Sequence, residues 1–282
     1  MTATSLGARV QALAALPAGA AAPEDPLALV DELLTRLEAG EIRAAERDAT
    51  GTWRAVPWVK QGILLAFRFG TIADLSKDSG AFSFVDKHTM PPRRFEPGAG
   101  VRIVPGGSTV RRGAYLAAGV VCMPPMFVNV GAWIGAGTMV DSHALVGSCA
   151  QVGERVHLSA AAQVGGVLEP VGAAPVVIED DVVVGGNCGV YEGTVVRARA
   201  VLGAGVVLTR GTPVFDLVRE TVYRGTADAP LEIPAGAVVV PGARGVKQGW
   251  GAEQGLSLQT PVIVKYRDDK TDTATALEAW LR

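Results

Sequence analysis

The chain has 282 residues, enough for one large domain or two to three small ones, and at 49% hydrophobic and 19% charged it can bury a sizeable core. A net charge of −2 with no long basic block argues against nucleic acid as a partner, and no apolar run approaches the ~18 residues that a membrane span needs. Glycine is frequent, at 35 residues, and aromatics make up only 6%, which suits an architecture that turns tightly and often around small aliphatic side chains.

The Ala-rich stretch Ala12–Ala22 reads as a helix, because its apolar run is too short and its flank too weakly basic for a secretory signal. Asp25–Leu37 carries Leu27, Val30, Leu33, Leu34 and Leu37 in a helical stripe, with Pro26 near its start and Gly40 past its end. Gly51–Val56 reads as a short strand. Trp58–Phe69 reads as a second amphipathic helix with Val59, Ile63, Leu64 and Phe67 inward, and Trp53 and Trp58 read as core packing. Residues 1–100 therefore form a mostly α-helical N-terminal domain.

A period of six then takes over. Stepping from Val104 gives Val110, Leu116, Cys122, Val128, Ile134, Val140, Val146, Val152, Leu158 and Val164; after a frame slip across Leu168–Pro175 it resumes at Ile178, Val184, Val190, Val196, Leu202, Leu208 and Val214. The following residue is usually small or turn-prone, as at Gly135, Asp141 and Gly147. The residue four positions on is small or β-branched, as at Ala132, Thr138 and Val156. Six is neither a helical nor an alternating-strand period. It means one short strand and one tight turn per hexad, with three hexads closing a triangular coil whose strands stack in parallel ~4.8 Å apart.

The fold class is thus mainly β: a parallel β-helix over residues 101–245, with an excursion loop at 168–175. Residues 246–282 form a small C-terminal extension with a strand at Pro261–Tyr266 and a short helix near residues 274–281. The last coils are irregular through Thr226–Pro230 before a repeat-like return from Ile233.

A packed prism has no internal cavity, so a site must lie on an outer face, at an insertion, or in a groove between copies. The chain has no phosphate-binding loop, nucleophile elbow or zinc-protease motif. Cys122, Cys149 and Cys188, with no CxxC pair, read as buried packing thiols of a reducing compartment. His143 and His157 are fourteen residues apart, a spacing unlike a zinc-binding histidine cluster, so no metal is assigned. Asp141 fills the turn slot after Val140, beside Ser142 and His143. A carboxylate there fits acceptance of a proton from an amine, and it equally fits an ordinary turn.

The segment Gly137–Ser159 (GTMVDSHALVGSCAQVGERVHLS) resembles the tetrahydrodipicolinate N-succinyltransferases of the diaminopimelate–lysine pathway. The likeness extends through Gly165–Pro170 (GGVLEP), Val177–Gly185 (VIEDDVVVG), Pro234–Gly242 (PAGAVVVPG) and Val262–Lys265 (VIVK), and back to Trp58–Arg68 (WVKQGILLAFR). It implies a left-handed coil, a cytoplasmic homotrimer, and transfer of succinyl from succinyl-CoA, as co-substrate, to the amino group of ring-opened tetrahydrodipicolinate. It implies no permanently bound cofactor. The family's acceptor-contacting Asp corresponds to Asp141, and its carboxylate-gripping Arg to Arg102 in VRIVP. For the CoA arm it implies small residues of the later coils, here Gly203, Ala204 and Gly205, and basic residues near the C-terminus, here Lys265 and Arg267.

One segment departs from the family pattern. Where well-known members read ARSEVVEG, this chain reads GNCGVYEG at Gly186–Gly193, so Gly189 replaces the first Glu and only Glu192 is kept. Either Glu192 serves the acceptor amine instead, or the acceptor is handled differently. The departure also keeps open an acetyl-CoA-dependent N-acetyltransferase acting on a related amino acid or an amino sugar. A structural β-helix or a zinc hydratase, either without acyl-CoA chemistry, is the reading from a different class.

Overall fold

Strands only two residues long cannot bury anything alone, so each must stack on a copy of itself one coil later. In the computed structural model, which describes residues 3–17, 19–77, 82–226 and 229–268, they stack into three parallel sheets, one per face of a prism. The first face begins with Arg102–Ile103 and climbs through Val121–Cys122, Met139–Val140, His157–Leu158, Val183–Val184 and Val201–Leu202 to Ala237–Gly245. The second runs through Thr109–Val110, Phe127–Val128, Leu145–Val146, Gln163–Val164, Gly189–Val190 and Val207–Leu208. The third runs through Tyr115–Leu116, Trp133–Ile134, Gln151–Val152, Val177–Ile178, Val195–Val196 and Glu232–Ile233.

In each strand the second residue points inward and meets its counterpart a coil later: Val140 pairs with Leu158, Val146 with Val164, Ile134 with Val152. These columns and the small residues four positions on, such as Ala132, Ala144 and Val156, form one continuous buried core. Most corners close through one left-handed backbone position per hexad, the exception being the Pro124–Pro125 corner, which uses a cis peptide bond. Glycine takes it at Gly131 and Gly137, but His143, Cys149, Arg155 and Ala161 take the next four, at a cost of about 1–2 kcal/mol each that coil closure overrides. The slot after the aliphatic residue is small for a different reason: a Cβ on Gly185 would lie 2.6 Å from the Ala204 nitrogen of the next coil.

The frame differs from the sequence reading at both ends. The first inward corner is Ile103, paired with Cys122, and Val104 lies one residue outside it. Val214 is not a corner either. After Leu208 the chain leaves the prism, forms an antiparallel hairpin of Val214–Asp216 and Thr221–Tyr223, and re-enters at Ile233, which stacks on Val196. The hairpin extends the first face because its strand pairs with Ser257–Tyr266, which in turn pairs with Ala237–Gly245. Ile178 lies fourteen positions after Val164, yet the two are consecutive corners, so the chain loops out of the coil between them. The C-terminal helix expected near residues 274–281 lies outside the described residues.

The N-terminal region supplies helices α1 (Ala3–Ala14), α2 (Pro26–Glu38) and α3 (Pro57–Phe69). The helix expected at Ala12–Ala22 in fact ends at Ala14, because Pro17 cannot extend it and Gly19 has a φ of 82°. Asp25 caps α2 by accepting the Leu27 N–H at 2.9 Å. The helices share a core that includes Val130 and Cys149, so they are packed onto the edge between the second and third faces. Lys60 of α3 is fully buried and donates to the Ala173 carbonyl of the excursion loop at 2.5 Å. Burial pulls its pKa down.

A two-stranded ribbon, Ala45–Arg47 with Trp53–Ala55, lies over the third face. Trp53 is therefore not core packing, as its sequence suggested. Its indole N–H donates to Glu179 at 3.0 Å, with Arg47 ion-paired to the same carboxylate and Arg197 donating to it at 2.9 Å. Arg197 also grips Glu232 and reaches the Gly51 carbonyl, so one buried carboxylate ties ribbon to prism. Burial alone would raise the Glu179 pKa. The bonds from Trp53, Arg197 and the Ala198 N–H, with the Arg47 charge, outweigh burial and hold it below the usual 4.5.

The network's stabilisation is accordingly complete above about pH 4.5 and lost as pH falls through the depressed folded value. Urea unfolding between pH 3 and pH 7 should show Glu179→Gln less stable at neutral pH by about 1–3 kcal/mol, with the gap closing on acidification. Parallel curves at all pH values would remove Glu179 from the clamp.

Candidate functional site

The expected site residues fall on two different edges of the prism. Asp141 turns the corner between the first and second faces. It is half-buried, its Oδ1 accepts the Ser142 N–H at 2.7 Å, and its Oδ2 lies 3.9 Å from Nε2 of His157 on the next strand of the first face. Carboxylate and imidazole thus face the same strip of surface, an arrangement able to take a proton from an amine and hold it. Arg102 stands on the first face two strands below Met139, through Val121, roughly 10 Å along the axis at the sheet spacing. Its side chain is exposed.

Gly203, Ala204 and Gly205 make the same edge's corner three coils above Asp141, roughly 14 Å away. Much of their backbone is engaged in closing the coil: the Gly203 N–H donates to Val239 O at 2.7 Å and the Gly205 N–H to Gly186 O at 3.0 Å. The Gly205 carbonyl accepts from Gln259 at 3.3 Å, which leaves exposed Ala204 at the apex. Lys265 lies beside this corner on the first face, opposite Val238, and its Nζ is 3.4 Å from Asp268. Arg267 turns inward on the backbone and donates to Asp181 O at 2.8 Å.

Glu192 sits elsewhere, at the corner between the second and third faces, where its φ is 54° and its Oε2 accepts the Arg210 N–H at 2.9 Å. Both excursions from the coil leave from this same edge, one coil below Glu192 and one above. Between them lies a cavity of about 620 Å³, lined by Pro170, Ala173 and Ala174 of the first excursion, Thr226 and Pro230 of the second, Glu192 and Arg210, and the ribbon residues Trp53 and Arg54. Within one chain, then, Asp141 and Glu192 are not brought together. The whole second face lies between them.

The Gly189 departure has a steric explanation that the sequence alone concealed. Gly189 occupies an outward position on the second face, and the Tyr191 ring folds back over it. A Cβ at position 189 would lie 2.5 Å from that ring and 2.9 Å from its hydroxyl, and one at Gly165 would lie 2.8 Å from it. Tyr191 and Gly189 are thus a matched pair. The signal available in the sequence was the bulky residue two positions after the missing side chain. Among the described residues, no three His, Cys, Asp or Glu side chains form a group able to hold a metal ion. His88 is remote from His143 and His157 and accepts the Thr71 N–H at 3.0 Å.

Residues 12–69 match the family described as tetrahydrodipicolinate N-succinyltransferase N-terminal, and residues 175–210 match the hexapeptide repeat of succinyl-transferase. The chain is 43% identical, over 90% of its length and 89% of the relative's, to a 2,3,4,5-tetrahydropyridine-2,6-dicarboxylate N-succinyltransferase of Bradyrhizobium diazoefficiens. It is 40% identical to the protein of the same name from Polynucleobacter asymbioticus, over 93% of this chain and 91% of that one. A crystal structure from Campylobacter jejuni, assigned as a 2,3,4,5-tetrahydropyridine-2-carboxylate N-succinyltransferase, superposes with a TM-score of 0.54 at 19% identity. It matches 83% of this chain and 62% of that longer one, and supports the fold.

The steric pairing of Gly189 with Tyr191 makes a double-mutant test. Gly189→Glu alone should lower stability by about 1–3 kcal/mol, and adding Tyr191→Val should recover most of that loss. Additive effects in thermal unfolding would show that the ring does not occupy the space.

Proposed function

The chain belongs to the tetrahydrodipicolinate N-succinyltransferase family, and we propose that it transfers a succinyl group from succinyl-CoA to the amino group of ring-opened tetrahydrodipicolinate, a step of diaminopimelate and lysine biosynthesis. The observation that carries this reading is identity above 40% along nine-tenths of the chain.

The chemistry asks little covalent work of the protein. The free amine attacks the thioester carbonyl, an oxyanion forms and collapses, and the CoA thiolate leaves and takes up a proton as the amide forms. Asp141 accepts the proton or hydrogen bond of the amine, with His157 behind it. Arg102 grips an acceptor carboxylate as a planar fork. Glu192 is the second carboxylate at the acceptor, and the Gly203–Ala204–Gly205 corner with Lys265 takes the CoA arm. No resident cofactor or metal enters this scheme.

In this reading the prism winds left-handed and the working form is a cytoplasmic homotrimer. Its outer units are a helical N-terminal domain over residues 1–100 and a C-terminal extension from residue 246. The trimer proposal rests on which face the chain leaves bare. The ribbon covers the third face and the C-terminal strands extend the first, while the second presents Thr109, Phe127, Leu145, Gln163 and Val207 in a half-exposed row. Its two borders are the Asp141 edge and the Glu192 edge. Three copies packed through second faces bring the Asp141 edge of one against the Glu192 edge of the next.

The Gly189 departure, with the Tyr191 ring lying over it, motivates one second reading, an acetyl-CoA-dependent enzyme acting on a related amine. Thiol release with L-2-aminopimelate as acceptor separates the two. Succinyl-CoA should exceed acetyl-CoA at least about tenfold in kcat/KM, and Asp141→Asn should lower kcat by about 10²–10⁴-fold with unchanged Tm. Preference for acetyl-CoA would establish the second reading, and full activity of Asp141→Asn would remove Asp141 from the mechanism.

A further inference from the structure

Where the ribbon crosses the third face it encloses a second cavity, of about 580 Å³, far from the Asp141 edge and independent of the acyl-transfer reading. Its central feature is Arg43. The guanidinium lies 4.0 Å from the Trp133 ring centre and 5.4 Å from that of Trp53, so aromatic rings cover its faces. Trp133 is in turn stacked on Tyr115, with centroids 4.1 Å apart.

The edge of the guanidinium is also fixed. Arg43 Nε donates to Gln151 Oε1 at 2.9 Å, and buried Gln151 is itself pinned by its Nε2 to the Cys149 carbonyl at 2.9 Å. The two terminal nitrogens of Arg43 make no hydrogen bond among the described residues. Of the carboxylates nearby, Glu179 is committed to Trp53, Arg47 and Arg197 and Glu154 to Arg155, while Glu46 of the ribbon is exposed and acts on Arg43 only through its charge. Burial pulls the Arg43 pKa down to about 10, outweighing the opposing charges of Glu46 and Asp180.

A guanidinium locked in plane, with its outer fork open, is built to receive a carboxylate edge-on. The cavity also offers a place for the opposite charge. Asp180 lies on its rim, using only Oδ1, which accepts the Glu154 N–H at 2.9 Å. The floor is of small residues, Ala117, Gly135, Ala136 and Gly153, with room for an aliphatic body. We propose that this cavity is a second small-molecule site, which binds an aliphatic α-amino acid with its carboxylate on Arg43 and its ammonium toward Asp180. Its volume lies within the range of ordinary metabolite pockets.

The test is calorimetric titration of the intact protein with L-leucine, 4-methylpentanoate, which lacks the ammonium, and isopentylamine, which lacks the carboxylate. L-leucine should bind saturably and each truncated analogue at least about tenfold more weakly. Arg43→Met should abolish binding. Asp180→Asn, a rim change that leaves the clamp on Glu179 untouched, should reduce L-leucine to the affinity of 4-methylpentanoate. Three results would overturn the proposal: no saturable binding of L-leucine, L-valine or L-isoleucine at 10 mM (roughly the weak limit of metabolite sites); equal binding of 4-methylpentanoate and L-leucine; or displacement of L-leucine by L-2-aminopimelate in step with its use as acceptor, which would make this cavity part of the acyl-transfer site.

Discussion

Coil closure is the constraint from which the rest of this molecule follows. Every sixth side chain must be aliphatic, must face inward, and must meet its counterpart one turn later. Most corners between place a residue in the left-handed region, even where that residue is His143 or Arg155. A prism filled this way has no interior left for chemistry. Function is pushed to the edges, where corner residues such as Asp141 and Glu192 are free to be polar because the aliphatic columns already supply the stability.

Deviations from the rule are correspondingly informative. Both excursions leave from the edge between the second and third faces, and together they form a notch around Glu192. The same edge receives the helices below, and Lys60 carries that packing up to the first excursion. The third face is covered by the ribbon through Glu179, and the first is lengthened by the C-terminal strands. What remains is a second face bordered by Asp141 on one edge and Glu192 on the other, which no single chain brings together.

Much of the prism was legible in the sequence because its signal is repetition. The columns from Val110 to Leu208 were readable residue by residue. The ends were not. Val104 and Val214 both satisfied the spacing, yet a one-residue shift and a β-hairpin respectively displace them, because periodicity tests identity at a position and not what stacks on it. Trp53 was misread because an indole that packs on a face and one that donates a hydrogen bond look alike in sequence. The Gly189 departure looked like a lost carboxylate until the Tyr191 ring was seen to fill its place. Arg43 gave no sequence signal, since its neighbours Trp53, Trp133 and Gln151 are scattered along the chain.

We propose that the reacting groups are supplied by two different subunits. Subunit complementation tests it most directly: Asp141→Ala and Glu192→Ala proteins, each inactive alone, are co-refolded so that mixed trimers form, and thiol release from succinyl-CoA is measured. The account predicts that activity returns, since mixed trimers contain interfaces with both carboxylates intact. Mixed trimers that form and stay inactive would contradict it, and would place Asp141 and Glu192 in separate roles on the same chain.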